Sequence, residues 1–173
     1  MPGKFDQLTE VTPALRRYAY TLTGNQQRAD DLVQDCLERA LRKLRFKRAS
    51  APLRPWLFRM MRNIHIDTWR KGRRETDHLI LDEMAQEPFE AERQSHNSEL
   101  QKLMRLILNL PADQREAIVL IGVEGFTYGE AAHILDVPEG TVMSRLSRAR
   151  SKLRASRSET GPERPKSRLR AVQ

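Results

Sequence analysis

Residues 126–153, FTYGEAAHILDVPEGTVMSRLSRARSKL, spell two short helices separated by a tight turn, with base-reading chemistry on the second. Thr127 stands three residues before Glu130. At a helix N-terminus that spacing lets a hydroxyl and a carboxylate satisfy each other's free backbone N–H groups. Ala131, Ala132, Ile134 and Leu135 supply a small apolar face. Asp136-Val137-Pro138 then ends the helix, because Asp tolerates turn geometry and Pro cannot continue the hydrogen-bond ladder. A second helix is predicted from about Glu139. On it Val142, Leu146, Ala149 and Leu153 share one face that must pack inward. Thr141, Ser144, Arg145, Arg148 and Lys152 fall roughly opposite, a stripe of cations and hydroxyls without an acid. Such a helix fits the DNA major groove, where Arg reads guanine edges and Ser or Thr contacts bases or phosphates.

Upstream, Leu100, Leu103, Met104, Ile107 and Leu110 form a helical stripe that Asn109-Leu110-Pro111 breaks. A further helix is predicted from about Ala112 to Val123, closed by Gly125. The four helices from Leu100 onward make one compact unit. In the N-terminal half, Val11, Leu15, Tyr18, Ala19 and Leu22 mark a helix that Gly24 ends, and Asn25 can cap the next. That next helix carries Leu32, Val33, Cys36, Leu37, Ala40, Leu41 and Leu44 on one face, with Cys36 as a small buried hydrophobe. Its other face is Asp31, Gln34, Asp35 and Glu38. Two readings fit this acidic patch: an ordinary solvated face, or a docking surface for a basic protein.

A loop follows Arg45, and Pro55 suits the first turn of a third helix. There Leu57, Met60, Met61, Ile64 and Thr68 are expected to face a core, with Trp56 at its margin. Arg59, Arg62, Asn63, Ile66 and Arg70 lie on a second face able to approach nucleic acid. Trp69 is followed by Arg70, Lys71, Arg73 and Arg74; it either stacks on a base of a single strand beside those cations or packs on the first helix. From Glu75 to Glu99 the composition turns acidic and reads as a flexible linker, with at most a short helix around Leu79 to Met84. The residues after Arg154 read as a disordered basic tail.

The chain has 173 residues and a formal net charge of +8, with a pI near 10.1, so an anionic partner is expected and nucleic acid ranks before membrane. It has no apolar run long enough to span a bilayer, and its N-terminus lacks a signal-peptide layout, so a cytoplasmic location without membrane insertion is expected. The single cysteine allows no internal disulfide, and the four histidines lack ligand spacing. No metal, no cofactor and no catalytic constellation are expected. The expected architecture is all-α: a helical domain over residues 1–74, an acidic linker over 75–99, a helix-turn-helix domain over 100–155 and a tail over 156–173.

Three segments in this order resemble the extracytoplasmic-function sigma factors of bacterial RNA polymerase, within the sigma-70 family. RADDLVQDCLERAL (28–41) resembles the family's polymerase-binding helix, and PWLFRMMRNIHIDTWRKGRR (55–74) its promoter-melting helix. NLPADQREAIVLIGVEGFTYGEAAHILDVPEGTVMSRLSRARSKLR (109–154) is similar to its upstream-element reader. The resemblance implies that Asp31, Gln34, Asp35 and Glu38 bind the clamp helices of the largest subunit of core RNA polymerase. It implies that the loop from Phe46 to Leu53 holds a base flipped from the melted downstream element, with Arg59, Arg62 and Asn63 beside it and Trp69 and Arg70 on the same helix. Thr141, Ser144, Arg145, Arg148 and Lys152 are then the contacts to the upstream promoter element. An anti-sigma factor is an implied partner, and the implied function is promoter-specific initiation, of a stress or envelope-response regulon, without enzymatic activity. The rival reading is a stand-alone helix-turn-helix regulator that binds duplex DNA as a dimer, which would not need the acidic face or the neighbouring aromatic and basic helix.

Overall fold

The computed structural model of the chain describes residues 4–44, 52–76 and 98–159. The Phe46 loop, the acidic segment with its expected short helix, and the end of the tail lie outside the described residues. All the described regular structure is helical: α1 (Lys4–Thr23), α2 (Gln26–Leu44), α3 (Leu53–Thr76), α4 (Ser98–Leu108), α5 (Ala112–Ile118), a π-helical turn over Val119–Val123, α6 (Tyr128–Leu135) and α7 (Glu139–Glu159).

Helix α1 stops at Gly24, whose φ of 66° places it in the left-handed region that glycine occupies without a steric penalty. Asn25 starts α2, its side-chain oxygen accepting the Arg28 N–H at 3.0 Å. The two helices pack together along Leu15, Tyr18, Ala19, Ala29, Leu32, Val33, Cys36 and Ala40, and α3 adds Leu57, Met61 and Ile64. Thr68 is exposed, so the core face of α3 ends at Ile64. Phe58 is fully buried although it lies one position off that face. The reason is tertiary: Phe58 stacks on Tyr18 at 5.0 Å on one side and meets Phe126 edge-on at 4.8 Å on the other.

Phe126 belongs to the C-terminal half, and its contact with Phe58 belongs to a broader packing of the two halves. Helix α3 packs on α6, and α1 packs on α5 and the π turn. Buried residues from Leu8 to Ile64 and from Ile107 to Val142 form one hydrophobic cluster. Within the C-terminal half α5 and α6 both pack on α7, through Ala117, Leu120, Ala131, Ile134, Leu135, Val142, Leu146 and Ala149. The predicted helix over 112–123 changes geometry midway. After Ile118 the backbone widens into the π turn, where Glu124 N–H donates to the Val119 carbonyl at 2.9 Å. Gly125, at φ 70°, closes it, and the Phe126 N–H returns to the Leu120 carbonyl at 3.0 Å. Helix α7 continues to Glu159, past the Arg154 limit that composition suggests.

Candidate nucleic-acid interface

The α6–α7 pair forms as its sequence dictates. Thr127 Oγ1 accepts the Glu130 N–H at 3.2 Å while Glu130 Oε2 accepts the Thr127 N–H at 2.9 Å, a reciprocal cap. Asp136 takes the left-handed conformation at φ 56°, and its N–H closes α6 on the Ala132 carbonyl. Helix α7 then starts at Glu139 with Val142, Leu146 and Ala149 buried beneath it. Its solvent side carries Met143, Ser144, Ser147, Arg148 and Ser151, all exposed, with Lys152 exposed beside them and Thr141 half-buried. Ser144 donates its hydroxyl to the Thr141 carbonyl at 2.9 Å, which leaves its oxygen free to accept. Arg145 sits on the flank. Its side chain is only 21% exposed and its Nε lies 3.5 Å from Asp113 Oδ2 on α5. Arg148 is therefore better placed than Arg145 to reach a base edge.

The cationic face of α3 is divided. Asn63, Trp69 and Arg70 are exposed, and Trp69 shows 48% of its surface to solvent. Arg59 and Arg62 are turned to the C-terminal half. Arg59 Nη1 lies 2.9 Å from Nδ1 and 3.0 Å from Nε2 of His133, and its Nη2 donates to Asp136 Oδ1 at 3.3 Å. Arg62 Nε donates to Glu116 Oε2 at 2.7 Å, and the Tyr18 hydroxyl donates to the same oxygen at 3.2 Å. Burial and the neighbouring Glu116 carboxylate push the Tyr18 phenol well above its ordinary pKa. His65, next to this cluster, is held below its ordinary value chiefly by burial, so its ring stays neutral there.

Three residues central to this contact were not singled out from the sequence. Glu124 has a fully buried side chain, 0% exposed, between Arg17 and Arg54. Arg17 grips it with a fork, Nε to Oε1 at 2.9 Å and Nη2 to Oε2 at 3.1 Å, and Arg54 Nη2 adds a bond to Oε2 at 2.8 Å. The Arg54 guanidinium also lies over the rings of Phe126, at 4.4 Å, and Phe58, at 5.3 Å. One signal was available: Glu124 is the lone charge in IVLIGVEGF (118–126), and a carboxylate in so apolar a run must find a partner or reach water.

The acidic face of α2 is laid out as its spacing predicts. Asp31, Gln34, Asp35 and Glu38 are all exposed, and Gln34 donates to Glu38 at 3.2 Å, which also accepts from Arg42 at 3.2 Å. Leu41, two-fifths exposed, continues that face. Beneath it Cys36 is buried, its Sγ 3.6 Å from the Leu57 carbonyl, and burial pushes its thiol up to about 12. At that value it is protonated and unreactive at neutral pH. Among the described residues no group of His, Cys, Asp and Glu is arranged to hold a metal, and no helix is long and apolar enough to cross a membrane.

Two family descriptions match separate parts of the chain: "Sigma2 domain of PhyR" over residues 8–62 and "Sigma-70, region 4" over residues 100–153. The ECF RNA polymerase sigma factor EcfG of Rhodopseudomonas palustris is 39% identical over 153 residues, which cover 87% of this chain and 82% of that protein. The ECF RNA polymerase sigma factor SigM of Bacillus subtilis is 32% identical over 142 residues, 80% of this chain and 85% of that one. Among solved structures, the sigma factor RpoE in complex with the anti-sigma factor NepR from Bartonella quintana is similar with a TM-score of 0.71 at 38% identity, covering 90% of this chain and 96% of that one.

Proposed function

This chain belongs to the ECF RNA polymerase sigma factors, and from that premise we propose how its two halves divide the work of promoter recognition. It is a sigma factor that binds core RNA polymerase and directs initiation at specific promoters. In our reading the domain of residues 1–74 carries polymerase binding and promoter melting, and the domain of residues 100–155 reads the upstream element. The observation that carries this division is the contrast between two exposed surfaces: an acidic face on α2 and an acid-free cationic face on α7. The first suits basic clamp helices of the polymerase, through Asp31, Gln34, Asp35 and Glu38. The second suits the major groove, with Arg148 and Ser144 toward bases and Thr141 and Lys152 toward phosphates. Asn63, Trp69 and Arg70, exposed along α3, suit the melted strand, together with Phe46 and, once freed, Arg59 and Arg62.

The relatives are sigma factors and not enzymes, and this chain is read as without catalysis of its own, acting in the cytoplasm where the polymerase works. The resemblance to an RpoE–NepR complex supports an anti-sigma factor as a further partner, and a stress-response regulon fits that mode of control. Purified core polymerase and this protein, given fragmented genomic DNA, should start transcripts at a small set of positions sharing one upstream and one downstream element. Starts at random positions, or none beyond core alone, would overturn the reading in favour of a stand-alone regulator.

A further inference from the structure

We propose that Met143 is a specificity residue for duplex DNA: its side chain packs on the C5 methyl of a thymine in the major groove and selects that base within the upstream element. The proposal deepens the reading of α7 as the groove helix and rests on it. Neither the polar stripe of the sequence nor the resemblance assigned Met143 a role.

Met143 stands in the second turn of α7, and the N-terminal turns of a recognition helix are the ones that reach base edges. It is 48% exposed, and among the described residues it is the one large apolar side chain that α7 leaves in water. Val142 and Leu146 on either side of it are buried, so Met143 is outside the core that holds the helix down. The exposed surface around it is made of short residues: Gly140 three positions before, Ser144 next and Ser147 four positions after. A Cβ placed on Gly140 would meet nothing within 4 Å, so the space over the first turn is open. A helical side chain leans toward the helix N-terminus, over the residues three and four before it. Met143 therefore extends above Gly140 and stands beyond the serines beside it. The acid of the first turn, Glu139, extends to α6, its Oε1 lying 3.1 Å from where a Cβ on Gly129 would stand.

What such a side chain can read follows from its chemistry. A thioether donates no hydrogen bond and accepts only weakly, so against an N–H or a carbonyl of a base edge it would displace water without replacing the lost bond. The major-groove edge of DNA carries one apolar group, the C5 methyl of thymine. Cytosine lacks that methyl and both purines present polar atoms, so a methyl contact separates thymine from the other three bases. An unbranched, flexible side chain fits it without demanding a fixed geometry. Met143 and Arg148 are five residues apart, about 7.5 Å along the helix axis, so the thymine lies about two base pairs from the base that Arg148 reads.

The test uses holoenzyme, core polymerase with the full chain, on a promoter duplex found by mapping its transcript starts. Each thymine of the upstream element, on either strand, is replaced in turn by deoxyuridine, which removes the methyl and keeps the base pair. In competition binding at least one replacement should weaken wild type about fourfold, the worth of one buried methyl group. That position should lie within about three base pairs of the one at which Arg148→Ala loses discrimination. In Met143→Ala, thymine and deoxyuridine there should bind alike, whereas Met143→Leu, which keeps an apolar reach, should retain most of the preference. Both variants keep the fold, because Met143 lies outside the buried core. An element in which no deoxyuridine replacement weakens wild type, or a weakening that persists unchanged in Met143→Ala, overturns the proposal. Arg148→Ala separates that failure from failure of the underlying reading. If it too leaves cognate binding unchanged, α7 is not the groove helix; if it lowers cognate binding, α7 reads DNA without Met143.

Discussion

Two sets of acidic residues in this chain have opposite fates. Asp31, Asp35 and Glu38 lie on the solvent face of α2 beside Gln34, where Arg42 on the same helix meets Glu38. Glu116 and Glu124 are enclosed between the two halves, each met by arginines from the other half and Glu124 wholly out of water. The first set repeats at helical spacing and so displays its charge. The second keeps no such spacing, Glu124 standing in an apolar run and Glu116 following Arg115, and its charge is used up inside the molecule. A displayed carboxylate contributes to recognition at almost no cost in stability, whereas an enclosed one makes the fold depend on its partners.

The largest expected effect comes from removing those partners. Arg17→Ala with Arg54→Ala leaves the Glu124 carboxylate enclosed without a counter-charge, and breaking a buried pair in this way costs about 3–5 kcal/mol. Urea denaturation of the full chain should register that loss, along with a larger radius of gyration where the halves part to hydrate Glu124. A change below about 1 kcal/mol would erase the distinction between the two acidic sets.

Asp113 stands between the extremes, partly exposed and paired with Arg145. Because that pair seats α7 on α5, Arg145→Ala should weaken binding to cognate and scrambled upstream duplexes alike. Arg148→Ala should cost about 1–3 kcal/mol on the cognate duplex alone. Competition binding separates the two, and equal discrimination losses would mean that Arg145 leaves Asp113 for a base. Smaller again is Thr127→Ala, which removes one side of the α6 cap and should lower stability by about 1 kcal/mol in thermal denaturation. The loss should occur without opening the halves, since Thr127 lies outside the charge cluster.

The smallest stability effect belongs to the displayed set. Asp31→Lys with Asp35→Lys should shift the unfolding free energy by no more than about 0.5 kcal/mol. The same variant should no longer retain core polymerase in a pull-down at moderate salt. Retention at the wild-type level would leave the α2 face an ordinary solvated surface.

What the sequence disclosed follows the same line. Helix starts and stops at Thr127, Asp136, Gly24 and Asn25 were legible because each is decided by a few neighbouring residues. The buried faces of α2 and α7 were legible because their apolar residues recur at the helical period. Phe58, Arg17, Arg54 and Glu124 were not. Their environments come from residues far away in the chain, Arg17 and Glu124 being 107 positions apart, and no local period records such a meeting. Thr68 went the other way: it keeps the helical phase of the core stripe, but α3 has run beyond its neighbours by that point. On α7 the periodicity separated inside from outside correctly, while only the Asp113 contact distinguishes Arg145 on the flank from Arg148 on the crest.

The widened turn at Val119–Val123 makes the angular relation between two ends of one domain depend on a single residue. Forcing the segment to rewind into ordinary helix with all its residues kept would rotate everything after it by about 100° relative to α5. Glu124 would swing away from Arg17 and Arg54, and the cap at Thr127 would move with it. The turn thus acts as a phase setting: it absorbs one extra residue so that Glu124 and the cap at Thr127 keep the orientation that meets the N-terminal half.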